Sequence, residues 1–143
     1  LCTFDKALEH LDKYIAVEGP FDAVLGFSAG SVLGALYLAH TQRRGLSLPF
    51  KCGVFLASGN FADELKHAGL DVWSLENRIR LPSAHIWGSA DTVAPKGGPE
   101  LLRLFDPAQS HVLVHDGGHD VPKKEYVTEA TNLIRRVVAM ADD

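Results

Sequence analysis

An apolar run through Ala23-Val24-Leu25 ends in Gly26-Phe27-Ser28-Ala29-Gly30 and passes at once into a helical pattern rich in small residues. Strand, sharp turn and helix in that order are the setting of the G-x-S-x-G nucleophile elbow. Gly26 and Gly30 allow the tight turn and a close approach of the helix to the strand. Taken alone, the pentapeptide reads equally well as a Gly-rich turn whose serine caps the helix. The flanking segments and two later loops decide between these readings.

Periodicity organises the rest. Asp5 to Val17 has helical spacing, with Ala7, Leu8, Leu11, Tyr14 and Ile15 apolar, and Gly19-Pro20 ends it. Phe21 to Phe27 reads as a strand whose near-continuous apolar character suits a parallel strand covered on both faces. Ala29 to Arg44 reads as a helix, with Gly45 where a C-terminal cap belongs. A second strand is expected over Cys52 to Ala57, then a turn at Ser58-Gly59-Asn60. Phe61 to Arg80 is mixed, one or two short helices. Beyond Pro82, strands are expected over Ala84 to Trp87 and His111 to His115, with a short helix, Pro99 to Phe105, between them. A last helix is expected over Val121 to Met140. Pro122 falls in its first turn, and Tyr126, Val127, Ala130, Leu133, Ile134 and Val137 form its buried stripe. Alternation of strand and helix implies one α/β domain over residues 1–143, a parallel sheet with helices on both faces. Functional loops then lie at the carboxyl ends of the strands.

Three such ends carry chemistry. Ser28 follows the first strand, and a hydroxyl needs a base to become a nucleophile near neutral pH. The backbone N–H of Ala29, at a helix N-terminus, points to the same space and can donate to an oxyanion. His119 follows the fourth strand in His115-Asp116-Gly117-Gly118-His119-Asp120-Val121-Pro122, on a loop able to reach a serine two strands away. Asp91 follows the third strand in Trp87-Gly88-Ser89-Ala90-Asp91-Thr92-Val93-Ala94-Pro95, where a carboxylate can orient His119 and stabilise its charged form. Asp106, Asp116 and Asp120 are rival acids. His115 and His119, four apart, also suggest a metal pair, but Gly117 and Gly118 oppose the helix that would put both on one face. The order Ser28, Asp91, His119 is that of an α/β-hydrolase.

On these segments the chain resembles the α/β-hydrolase superfamily, and more closely the FSH family of small serine hydrolases. The resemblance runs from Gly19-Pro20-Phe21-Asp22 through the elbow, Ser58-Gly59, and His85-Ile86-Trp87-Gly88-Ser89-Ala90-Asp91-Thr92-Val93-Ala94-Pro95 to Gly117-Gly118-His119-Asp120-Val121-Pro122. It implies a three-layer α/β/α fold, with Ser28 as nucleophile, Asp91 as acid and His119 as base. It also implies esterase or thioesterase activity without a cofactor or metal, on a small-molecule or carrier-bound acyl ester or thioester. Some fungal relatives release acyl or polyketide chains from a carrier protein.

Members of that family usually begin with further strands and an early His-Gly loop that supplies a second oxyanion donor. No such segment occurs in these 143 residues. About four parallel strands are therefore expected, with the Phe21 strand at an exposed edge, a pairing and aggregation hazard that leaves a homodimer open. A non-catalytic binding module or an inactive fragment is the competing reading.

Composition narrows the rest. Hydrophobic residues make up 46% and charged residues 22%, and the net charge is −4, so nothing marks a nucleic-acid or membrane-surface binder. No apolar run approaches the roughly 20 residues of a membrane span. Cys2 and Cys52 lack zinc or redox spacing and read as reduced thiols of a cytoplasmic protein. Phe27 and Val93 are expected to wall the substrate pocket. Phe61, Leu65, Leu70, Val72, Trp73 and Leu75 divide between helix core and acyl pocket, and Trp87 is expected to be structural.

Overall fold

The computed structural model describes residues 3–60, 62 and 78–142. In chain order its elements are α1 (Thr3–Glu18), β1 (Ala23–Phe27), α2 (Ala29–Arg43), β2 (Cys52–Leu56), β3 (Ser83–Gly88), α3 (Gly97–Leu102), β4 (Ser110–His115) and α4 (Tyr126–Ala141). The strands pair in chain order, β1-β2-β3-β4, all parallel. Their carboxyl ends therefore lie along one rim of the sheet. His119 belongs to the loop after β4, so both β2 and β3 lie between it and Ser28. That is one strand further than the sequence suggested, because the sheet order simply follows the chain.

Parallel pairing makes each connection cross a sheet face, and alternation along each strand divides the core in two. Phe55 of β2 packs with Val32, Ala35, Leu36 and Leu38 of α2 and with Leu101, Leu104 and Phe105, while Leu8, Leu11 and Ile15 of α1 pack against that cluster. Val54, its neighbour in β2, faces the other way with Cys52, Ala84 and Val137, and Leu133 and Ile134 of α4 pack over them. His85 is buried inside the first core, its ring 5.4 Å from Phe55 and 4.7 Å from Phe105. Its Nε2 lies 2.8 Å from Ser83 Oγ. Burial pushes its pKa down to about 3, so the core holds a neutral imidazole.

Local signals set most element ends. Gly45 takes φ 74°, its N–H donates to Gln42 O, and the N–H of Leu46 reaches Thr41 O. These two bonds make the Schellman motif that Gly45 announces. Gly98 at the start of α3 lies against Trp87, where a Cβ would come 2.4 Å from the indole, so Trp87 is structural as expected.

Three expectations need correction. The last helix starts at Tyr126 rather than Val121. Lys124 has φ 53°, which no right-handed helix accommodates, so Pro122 lies outside the first turn. Val127 is 49% exposed, and the buried stripe reduces to Ala130 and Val137 with Leu133 and Ile134 beside them. Among the described residues strand β1 is not covered on both faces: its Leu25 is 65% exposed on the α4 side, because α4 lies mainly over β2, β3 and β4. Phe61, Leu65, Leu70, Val72, Trp73 and Leu75 lie outside the described residues.

Candidate active site

The elbow is held by the sheet and by a strained serine. Ser28 has φ 54° and ψ −118°, a conformation costly for a residue with a Cβ. Its N–H donates to Leu56 O at 3.0 Å, and its carbonyl accepts from Gly59 N–H at 3.2 Å, so both sides of its backbone are tied to the end of β2. Gly26 is indispensable, since a Cβ there would lie 2.6 Å from Ser31 Cα; Gly30 meets nothing within 4 Å and is not required sterically. The open space around Gly30 follows from its exposure on the outer side of the first turn of α2.

The serine does not cap α2 with its side chain. Instead, Ser28 Oγ lies 2.9 Å from His119 Nε2. On the other side of that ring, His119 Nδ1 lies 2.8 Å from Asp91 Oδ2. Hydroxyl, imidazole and carboxylate thus stand in a hydrogen-bonded series across three strand ends.

Asp91 divides its two oxygens. Oδ1 accepts the N–H groups of Val93 and Ala94 at 2.9 and 2.8 Å, which fixes the carboxyl and leaves Oδ2 for the imidazole. Burial pushes its pKa up, but the hydrogen bonds from Ala94, His119 and Val93 outweigh it, and the net value falls below the ordinary carboxylate range. A charged Asp91 requires a proton on Nδ1 of His119, leaving Nε2 of the neutral ring free to accept the Ser28 proton.

The two loops that carry Asp91 and His119 are stitched together. Ser89 N–H donates to His115 O at 2.8 Å and Ala90 N–H to Gly117 O at 3.0 Å. Ala29 is the first residue of α2, so its N–H has no intrahelical acceptor and remains available beside Ser28. The Phe27 ring, 43% exposed, lies 5.7 Å from the His119 ring. Val93 is 68% exposed on the turn that holds Asp91.

Two of the three rivals, Asp106 and Asp120, are occupied elsewhere. Asp106 Oδ1 accepts from Ala108 N–H, and Asp120 pairs with Lys123 and with its neighbour Val121. His115 and His119 are engaged differently: His115 Nδ1 accepts from Gly117 N–H, while the His119 ring lies between Ser28 and Asp91. Among the described residues, no three metal-ligating side chains come together. Sequence reasoning missed this use of His115. The spacing His-x-Gly-Gly-His was its only signal, and that spacing read as a metal pair.

Comparison with known proteins gives the family and the fold. The model of the serine hydrolase (FSH1) family matches residues 2–131. Esterase OVCA2 of Bos taurus is 36% identical over 82% of this chain and 50% of its own. Esterase FPY3 of Fusarium mangiferae is 32% identical, over 94% and 65% respectively. Esterase C25G4.2 of Caenorhabditis elegans is 30% identical, over 83% and 52%. The chain thus spans about half to two-thirds of the length of these curated relatives. Among solved structures, a monoacylglycerol lipase of Paleococcus ferrophilus superposes with a TM-score of 0.65 at 15% identity, covering 97% of this chain and 76% of the lipase. MGS-MChE2, an alpha/beta hydrolase enzyme from a lagoon-sediment metagenome of Mar Chica, gives 0.65 at 15% identity, covering 98% and 71%. These likenesses show the α/β-hydrolase fold.

Proposed function

The chain belongs to the FSH1 family of serine hydrolases, and from that premise we propose that it cleaves a carboxylic ester or thioester with Ser28 as nucleophile, His119 as base and Asp91 as orienting acid. The observation that carries this reading is the continuous series Ser28 Oγ, His119 Nε2, His119 Nδ1, Asp91 Oδ2, with contacts of 2.9 and 2.8 Å.

In this mechanism Ser28 Oγ attacks the substrate carbonyl carbon while its proton passes to His119 Nε2. The tetrahedral oxyanion accepts from Ala29 N–H at the positive end of α2. Collapse breaks the bond to the alcohol or thiol, which takes the proton from His119, and the acyl group remains on Ser28. Water then enters, gives a proton to His119 and attacks the acyl carbon. The carboxylic acid departs, and the proton returns to Ser28. Every proton moves through His119, and no step requires a metal or an organic cofactor. The exposed Phe27 and Val93 flank this path and supply apolar wall for the acyl group. The substrate is a small-molecule or carrier-bound acyl ester or thioester, a polyketide chain among them.

Labelling with a fluorophosphonate probe, followed by mass mapping, tests the reading. An adduct on Ser28, absent in Ser28→Ala, is expected. Folded protein that takes up no label would point instead to a binding module with the fold but not the reaction.

A further inference from the structure

We propose that His115 is a positioning residue for the reaction: its Nδ1 accepts the Gly117 N–H and so holds the turn that presents His119 to Ser28 and Asp91. The proposal rests on the roles given to those three residues above.

The turn from His115 to His119 must carry the imidazole from the end of β4 past β3 and β2. Two of its anchors are backbone bonds, Ser89 N–H to His115 O and Ala90 N–H to Gly117 O, both from the loop that carries Asp91. The third is the side chain of His115, whose Nδ1 lies 3.0 Å from Gly117 N. Gly117 is thus gripped on both sides of its residue, its carbonyl by Ala90 and its N–H by His115. Two glycines in succession have the widest backbone freedom a chain can have, and His119 follows them directly. Without the third anchor, that freedom passes to the base.

The choice of side chain supports this reading. His115 is 3% exposed. As an acceptor, its Nδ1 carries no proton, so the neutral ring carries its proton on Nε2. That Nε2 is buried without a hydrogen-bond partner among the described residues. Burying an unpaired donor is unfavourable. A leucine would fill comparable space without that cost, so what the imidazole contributes over a leucine is the acceptor at Nδ1.

Three variants separate the two nitrogens. In His115→Asn, Oδ1 stands where Nδ1 stood and keeps the acceptor. In His115→Gln the amide reaches toward the Nε2 position, and Gly117 N–H loses its partner. His115→Leu removes both. The first readout is the low-field proton resonance of the His119 Nδ1–Asp91 hydrogen bond, which needs no turnover. The second is the KM and kcat of ester hydrolysis.

His115→Asn should keep the resonance and a kcat within a few-fold of the wild type. His115→Gln and His115→Leu should lose the resonance and about 10²-fold in kcat, the scale of a 1 Å misplacement, with KM unchanged. Retention of resonance and rate in His115→Gln or His115→Leu overturns the proposal, as does a loss in His115→Asn equal to that in His115→Leu. If Gln and Leu variants do not fold, amide exchange at Gly117 in the wild type decides: protection supports the anchor, and exchange at the unprotected rate overturns it. A wild type that shows the resonance but takes no label on Ser28 defeats the hydrolase reading and leaves this one to be settled by the spectra.

Discussion

Gly88 and Gly117 are pressed together backbone to backbone: a Cβ on Gly88 would come 2.1 Å from Gly117 O and 2.4 Å from Gly118 O. Gly88 ends β3 and leads to Asp91; Gly117 follows β4 and leads to His119. The register of Asp91 against His119 therefore depends on the absence of one methyl group.

Gly88→Ala should force these loops apart. Backbone atoms cannot swing away as a flexible side chain would, so the strain is that of an overpacked core, about 1–3 kcal/mol. The same displacement separates Asp91 from His119. Thermal denaturation should show the destabilisation, and kcat/KM should fall by at least about 10²-fold. An alanine variant with normal activity would mean that the two loops are not coupled through this contact.

Asp91→Asn tests the orienting role without removing bulk. The amide oxygen can still accept from Val93 and Ala94, where Oδ1 does now. Its NH₂ then faces His119 Nδ1 as a donor and favours the tautomer with the proton on Nε2, which cannot take one from Ser28. Loss of about 10⁴-fold in kcat is expected with little change in stability near neutral pH. A small loss would hand the role to another acid, and Asp116 would be the first to examine.

The same carboxylate keeps its charge well into acid. Asp91 is held below the ordinary range, so its bonds persist above that range and are lost only as pH falls through the lowered value. The acid sensitivity of the fold starts earlier, at His85. An unfolded histidine titrates near 6.5, whereas His85 is pushed down to about 3. Between those values the unfolded chain binds the proton and the folded core does not. Its contribution is complete above pH about 6.5 and declines as pH falls toward 3, by at most about 5 kcal/mol. Urea denaturation at pH 7 and pH 5 should show this decline. It should shrink in His85→Gln, once the intrinsic cost of that substitution at pH 7 is subtracted. An equal decline in both proteins would assign the acid sensitivity elsewhere.

What could be read in the sequence was what neighbouring residues encode. The elbow announces itself because Gly26 must lack a Cβ, and the end of α2 because Gly45 alone suits its φ. Ser28, Asp91 and His119 were legible because chain order and strand ends together specify their meeting place. The start of α4 was not, because Lys124 adopts a positive φ with nothing in its residue type to mark it. The task of His115 was hidden for a different reason: it is defined by a backbone N–H two residues on, in a turn whose path depends on β3. Coverage of β1 was misread because apolar character along a strand reports what it can bury, and α4 lies mainly over β2, β3 and β4.

That uncovered edge carries the last prediction. Among the described residues β1 has β2 on one side and no strand on the other, and Leu25 stands 65% exposed beside Phe27 at 43%. An apolar strand with unpaired backbone groups is a template for another strand. In a two-fold pairing each copy would offer the same edge, and Leu25 would be covered by its counterpart. Sedimentation of the 143-residue chain should therefore show association that rises with concentration. Leu25→Lys should weaken it by placing like charges across the seam, while Val138→Lys, an exposed position on α4 away from the edge, should not. A chain that stays monomeric throughout the accessible range, or one whose association ignores Leu25→Lys, would remove the homodimer through β1.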